Sequence, residues 1–445
     1  MTESATETLN TAQAHLRAFD ALRSGLPGAG LDWLERLRAD ALGRFKDAGL
    51  PSRRLEAWKF TTLAALERAP FAPGPQAGGA PDALPELTET AARITFVDGR
   101  FDEGLSEISR PAEGVSVTTM ATALANDPGA LQGRLSQASD PAGSLWDLNA
   151  AFMADGAVIR LADGAALDQP IHLVFLASGT ANRACHIRNL ILLGTGARAQ
   201  VVETYGNAAD AAGAGFTSAV TDISLAEGAA LTHARVQDES LKTVHAARAV
   251  VSVAGEAVYA GFALAMGAEV SRQETDLSFA APDGHARLMG AYLGRGRQLL
   301  DHTTRVDHAV PGCTTEELFK GVLDDHAHGV FQGLIRVAPH ALHTDARQKS
   351  QALLLSDRAA ADTKPELEIL ADDVKCAHGA TVGDLDDDAL FYLMARGVPE
   401  AEARRLLIAG FAGDVIDSFD RGIVGAYLSA CVANWQDRGT GDGHA

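Results

Sequence analysis

Three glycines stand 32 residues apart, and this spacing limits the fold more than any other feature of the 445-residue chain. Gly164, Gly196 and Gly228 hold matching places in LADGAAL (161–167), LGTGARA (193–199) and LAEGAAL (225–231). Each turn follows a strand-like run (AVIRLADG, LILLGTG, DISLAEG) and is followed by another (IHLVFLA, AQVVETY, LTHARVQ). One strand-turn-strand unit cannot bury its apolar face alone, so units of fixed length must stack. The expected body is a parallel β-helix or a related stacked-sheet solenoid, rather than a β-sandwich. After about residue 255 the spacing drifts, but the strand-turn-strand texture continues to about 383.

The flanks change period. Ala12, Leu16, Phe19 and Leu22, and then Leu34, Leu37, Ala41 and Phe45, fall at helical spacing. Leu26-Pro27-Gly28 breaks the first helix and Gly49-Leu50-Pro51 ends the second. Pro70 to Pro85 is rich in Pro, Gly and Ala and reads as a linker. Past 384, Asp386, Asp387 and Asp388 open a helix, Gly397 stops it, and Pro399 and Glu400 start the next. A third helix is expected to carry Ile416, Phe419, Ile423, Tyr427, Cys431 and Trp435 on one stripe. These helices would cap the open end of the solenoid or present a partner surface. The expected division is a helical region at 1–89, a parallel β-helix core at 90–383 and a second helical region at 384–445.

Charge narrows the range of partners. With 38 basic and 58 acidic side chains the net charge is −20, which argues against nucleic acid and anionic membranes. Most of the excess lies in the middle zone. No apolar run is long enough to span a membrane. The start, MTESATETLN, has neither the charge nor the apolar stretch of an export signal. Cys185, Cys313, Cys376 and Cys431 are widely spaced and form no CxxC pair, so a cytoplasmic protein with reduced thiols is expected.

The search for chemistry excludes more than it finds. No GxxxxGK[ST] phosphate loop, GxGxxG fingerprint, GxSxG elbow or HExxH pair occurs. Eight of the 14 histidines lie between 285 and 378: His285, His302, His308, His326, His328, His340, His343 and His378. Residues two apart on a strand share a face. His326 and His328 therefore pair in the pattern, as do Cys376 and His378 in VKCAHGATVG. Thiolate and imidazole on one face suit a soft or borderline metal. A closed site needs about four ligands, so others must come from elsewhere in the fold or from another chain. The plain alternative is polar residues on the outer face of a solenoid.

Two segments carry a family resemblance. PSRRLEAWKFTTL (51–63) resembles the PxRxxExWKxTxL motif of the SufB/SufD family of iron–sulfur cluster assembly proteins. Residues 302–411 resemble the same family continuously, through HTTRVDHAVPGC, FQGLIRVAPHALHTDARQKSQALLL and DDVKCAHGATVGDLDDDALFYLMARG. Within the family the pattern is of the SufD type. The position where SufB-type chains carry a functional cysteine is Ala352, after Lys349-Ser350-Gln351. The KCxHGAT stretch at 375–381 is the SufD form.

The resemblance implies a right-handed parallel β-helix between helical regions. It implies pairing with SufB through the β-helix core and binding of the SufC ATPase through the C-terminal helices. The lack of a phosphate loop is consistent with an ATPase acting in trans and with a non-catalytic scaffold. A transient iron–sulfur cluster would form at the SufB interface, with His378 and Cys376 as this chain's candidate ligands to iron or cluster. The resemblance also links the complex to a reduced flavin, for which no motif is found here. The alternatives are a homodimeric or larger platform of the same fold, or a carbohydrate-active β-helix enzyme. The latter needs clustered carboxylates that the pattern does not supply. A hexapeptide-repeat acyltransferase needs a six-residue period that is absent.

Overall fold

The computed structural model describes residues 15–68, 86–108, 112–137, 141–179, 182–208 and 213–440. Ala12 and the Pro70–Pro85 linker lie outside them. Strands alternate between two sheets as the chain advances. The ten-stranded sheet begins with the antiparallel pair Ala92–Val97 and Arg100–Ile108. It runs on through Ile171–Ala177, Arg198–Asn207, Ala230–Gln237, Val258–Ala265, His285–Gly294, Thr314–Leu323 and Asp345–Leu354 to Lys375–Gly383. The nine-stranded sheet runs from Val115–Thr119 and Ala157–Leu161 through Arg183–Leu193, Gly215–Leu225, Thr243–Val253, Val270–Phe279, Leu299–His308 and His328–Val337 to Ala360–Ile369. Beyond the first pair of each sheet, every pairing of these strands is parallel. The body is a β-solenoid of about eight turns with helices at both ends of the chain.

The three glycines occupy equivalent corners of successive coils. All have positive φ, between +65° and +70°. Gly164 donates to the carbonyl of Thr195 and Gly196 to that of Glu227, both at 2.8 Å, and Gly228 to that of Gly255 at 2.9 Å. The alanine that follows, Ala197 or Ala229, turns inward and is fully buried. Register partners along the ten-stranded sheet are 32 residues apart from Arg198 to Ala230, then 28, 27, 29, 31 and 30 apart down to Lys375. The corner conformation outlasts the glycine: Glu256, Asp283, Gly312 and His343 take it in turn, again at positive φ. The pattern therefore fades in sequence while the coil persists, because one strained corner residue costs little beside a whole coil's pairing.

Helices cover both outer faces rather than the far end. Asp32–Ala48 and Ser144–Phe152 pack on the nine-stranded sheet, where Phe45, Trp58, Trp146 and Phe152 meet Phe216, Val220 and Val244. The segment 120–152, expected within the strand zone, contains the helices Met120–Asn126 and Ser144–Phe152. All nine residues of the latter are buried, so its apolar run carries no helical alternation. The motif at 51–63 is a clip on this face. The ring of Trp58 lies 4.1 Å under the guanidinium of Arg272, which pairs with Asp301 and, at 2.7 Å, with Glu274. Thr61 donates to the same Asp301, and Lys364 reaches Glu56 at 2.6 Å. On the ten-stranded sheet, Val415, Phe419, Tyr427, Leu428 and Trp435 meet Val236, Phe262, Leu264 and Met289. The expected single stripe is split between two helices, Glu400–Phe419 and Ile423–Thr440. Asp420 breaks the run by accepting from the amides of Gly422 at 3.0 Å and Gly425 at 2.7 Å.

The space between the sheets is only partly apolar. Glu203 accepts from Tyr205 at 2.5 Å and Thr221 at 2.7 Å, and its other contact, with His233, is 2.9 Å. Burial pushes its pKa up, but His233, Tyr205 and Thr221 outweigh burial and hold it at about 2. Glu317 has weaker support, from Gln348 and Thr304, and burial raises it to about 7. His302 stands between the rings of Tyr292 and Phe319, 5.5 Å from each, and His308 bonds Thr315 at 2.9 Å. Both histidines are therefore interior, not outward polar filler. Burial lowers His172, His186 and His302 to about 3 and His308 to about 4.

Two predictions follow from this packing. Trp58→Ala removes the clip's buried ring and should cost about 3–5 kcal/mol in urea unfolding; a loss under about 1 kcal/mol would show that the clip is not structural. The second concerns pH. The unfolded chain protonates these histidines near pH 6.5, whereas the fold resists until about pH 3 or 4, so stability falls as pH drops below about 6.5. Glu317 acts oppositely: its contribution is present below pH 4.5 and lost as pH rises through about 7. The four histidines outweigh Glu317 between pH 4.5 and 6.5, so melting temperature should rise from acid pH to a plateau near pH 7, and Glu317→Gln should steepen that rise by on the order of 3 kcal/mol across pH 4.5–7. Parallel profiles for variant and parent between pH 4.5 and 7 would exclude Glu317 as the titrating group.

Candidate functional site

The site lies where the stacking stops. Lys375–Gly383 pairs on one side only, with Asp345–Leu354, and ends the ten-stranded sheet. Ala360–Ile369 likewise ends the nine-stranded sheet. Lys375–Gly383 is largely exposed and Ala360–Ile369 partly so, and Ile369, Leu370 and Val382 present apolar side chains to solvent there. No helix lies over this end among the described residues; the C-terminal helices take the sheet face instead. Pro365 and the charged Lys364, Glu366 and Glu368 mark the first of the two strands as an edge.

Register decides which way each residue faces. Cys376 stands beside Ala346, and His378 beside Gln348. Ala346, Gln348, Ser350 and Ala352 are all buried, so this parity faces the solenoid interior. Cys376 and His378 therefore share the inner face of the last strand, as the alternation predicts. Their Cα atoms are about 7 Å apart along the strand, which suits two ligands converging on one ion or cluster. Cys376 is half-buried against the apolar interior, and that burial raises its thiol pKa. His378 is exposed. Ala352, where the SufB-type cysteine is absent, lies on the neighbouring strand beside Val382.

Among the described residues, no three His, Cys, Asp or Glu side chains converge closely enough to hold a metal ion. The other expected pair does not form. His326 occupies a corner turn behind the left-handed Asp325, whereas His328 starts a strand and bonds Asp362 at 2.7 Å. His285 bonds Thr314 at 2.7 Å and His343 pairs with Asp373 at 3.0 Å. Cys185, Cys313 and Cys431 are free, buried thiols.

Two residues beneath the last strand were not singled out from the sequence. Glu317 and Gln348 precede His378 in one register column on consecutive strands. Gln348 Nε2 donates to Glu317 Oε2 at 2.5 Å. A β-carbon at Gly333, on the opposite sheet, would collide with the Gln348 amide as it lies, so the glycine leaves room for that amide position. The available signal was a polar side chain at inward parity in two strands; reading it required the register.

A second surface lies on the helix Asp387–Ala395, capped by Asp386, which accepts from the amides of Asp388 and Ala389. Only Leu390 is buried in it, while Phe391, Tyr392 and Met394 are exposed. No helix among the described residues is long and apolar enough to cross a membrane.

Comparison with known proteins identifies the family. Residues 175–411 match the family model described as SUF system FeS cluster assembly, SufBD core domain. An iron–sulfur cluster assembly SufBD family protein of Synechocystis is 31% identical over 407 residues, covering 89% of each chain. The iron–sulfur cluster assembly protein SufD of Escherichia coli is 31% identical over 84% of this chain and 87% of its own length. SufD of Bacillus subtilis is 26% identical over 86% and 90%. A solenoid that ends in an inward-facing Cys-x-His strand, matched along nearly its whole length, belongs to the SufBD family of the SUF iron–sulfur cluster assembly system.

Proposed function

We propose that this chain is the SufD-type subunit of a complex with a SufB-type partner and a SufC-type ATPase, and that a nascent iron–sulfur cluster forms where its open end meets the partner. The observation that carries the reading is the unpaired final coil, with Cys376 and His378 on its inner face. An exposed edge with apolar residues is a template for another chain's strands. Covering it would enclose the two side chains between the subunits. Two ligands from this chain are too few for a cluster, so the partner supplies the rest, chiefly as thiolates. A neutral imidazole at His378 binds iron without first losing a proton. Cys376 must shed one against a raised pKa, so it is the weaker candidate. Such a mixed site holds its cargo loosely enough to pass it on.

The exposed Phe391, Tyr392 and Met394 support a docking role for their helix, and an ATPase is the partner the family points to. Nucleotide hydrolysis would then act in trans, with this chain as a non-catalytic scaffold. A homodimer through the same edge is the second reading, since the edge offers the same backbone groups to a second copy.

Co-expression with SufB-type and SufC-type proteins and anaerobic iron and sulfide analysis test the site. His378→Ala should leave the complex assembled and lower cluster content by about tenfold or more, with Cys376→Ser losing less. Full cluster content in His378→Ala would defeat the ligand role; loss of the complex would make His378 an interface residue only. For the ATPase, Phe391→Asp combined with Tyr392→Ser should weaken binding at least about tenfold without moving the melting temperature, since both side chains are exposed. Unchanged affinity would move the docking site elsewhere.

A further inference from the structure

The column beneath His378 carries a hydrogen-bond imbalance. Gln348 and Glu317 are buried, 3% and 1% exposed. Gln348 spends its amide nitrogen on Glu317 Oε2. Its Oε1 has no hydrogen-bond partner among the described residues, and neither has Glu317 Oε1. A buried acceptor left unmatched is costly, so native folds normally supply a donor. The amide is clamped in place: Glu317 holds its nitrogen, and the bare backbone of Gly333 receives its plane from the opposite sheet. A nitrogen turned toward the Glu317 strand leaves the oxygen turned away from it, toward the open end. The next strand in that direction is Lys375–Gly383, and the residue in register is His378. Strands are about 4.8 Å apart, so a rotation of the exposed His378 side chain can bring its ring to the Gln348 amide, with which it is not bonded in this structure.

We propose that Gln348, held by Glu317, is the positioning residue for His378: its Oε1 accepts the N–H of the imidazole, selecting one tautomer and leaving the other ring nitrogen free for iron. The inference deepens the reading of His378 as a ligand and rests on it. Metal-bound histidines generally owe their orientation to such an acceptor. Here the acceptor is an amide rather than a carboxylate, and the carboxyl lies one strand deeper. The acceptor thus orients the ring without adding a negative charge at the interface. Glu317 acts through Gln348. Its deprotonation near pH 7 strengthens the bond to Gln348 Nε2 and locks the amide's direction.

The test is histidine side-chain NMR on the full chain. Histidine is labelled with ¹⁵N, the His378 signals are identified by their absence in His378→Ala, and spectra are recorded at pH 8.5, where imidazoles are neutral. The parent should show one tautomer, with the ratio falling by about tenfold in Gln348→Leu, the scale of one lost hydrogen bond. Gln348→Asn, whose amide is too short to reach, should behave in the same way and serves if the leucine variant does not fold. Glu317→Gln should lower the ratio less, since Gln348 keeps its own oxygen. A mixed tautomer in the parent, or unchanged His378 signals in both Gln348 variants, overturns the proposal. Because the readout needs no cluster, a failure of the ligand reading, seen as full cluster content in His378→Ala, remains distinguishable from a failure of this one.

Discussion

A coil of this solenoid has no core of its own; it buries its inner and pairing surfaces only against the coils before and after it. That constraint governs the rest of the molecule. The stacked corners, with Gly164, Gly196 and Gly228 each bonded to the next coil, keep the strands in register. Register in turn fixes which side chains meet across the interior. A stack of this kind always has two ends. At the N-terminal end antiparallel strands replace the missing coil: Arg100–Ile108 folds back on Ala92–Val97, and Val115–Thr119 pairs with Ala157–Leu161. At the other end nothing in the described chain does so, and this is where Cys376 and His378 lie.

The helices solve a different problem. Two broad sheet faces would otherwise expose apolar residues; one is covered by the N-terminal region together with the internal helix Ser144–Phe152, the other by the C-terminal helices. The anchors are charges set against aromatic rings. Arg272 lies on Trp58, Arg295 lies 3.6 Å from the ring of Trp435, and Lys320 pairs with Asp414 at 2.6 Å while lying 4.4 Å from the ring of Phe411. The clip at 51–63 joins strands far apart in sequence. Through Asp301 and Arg272 it grips the middle coils, and through Glu56 and Lys364 it reaches the last strand of the nine-stranded sheet. The final coil is thus held from the outside although its end is open.

Inside, polarity is placed unevenly. The hydrogen-bonded group around Glu203 is well satisfied and lies in the middle coils. Among the described residues, buried polar atoms without partners occur elsewhere along the interior, among them His186 Nδ1 and both amide atoms of Gln273. Both ring nitrogens of His302 and one oxygen each of Glu317 and Gln348 lack partners. Polar groups left unpaired in a low-dielectric interior are costly, and Glu317 and Gln348 are in register with His378 on the last strand.

Much of this was legible in the chain. The 32-residue spacing, the helical periods of both flanks and the two family motifs are local patterns, and local patterns survive into structure because backbone geometry enforces them. The shared face of Cys376 and His378 was legible for the same reason, since parity along a strand needs no partner. Other features depended on which strand lies beside which. His326 and His328 have the same spacing as the Cys-x-His pair, but a corner falls between them. Asp420 divides what reads as one helical stripe. His302 and His308, indistinguishable by sequence from surface histidines, are interior. Glu317 and Gln348 are 31 residues apart and His378 is 30 further on, and no periodicity in the chain connects them. Only the parallel register sets them side by side, because contacts across stacked coils are decided by the lengths of the loops between strands, which the residues in those strands do not encode.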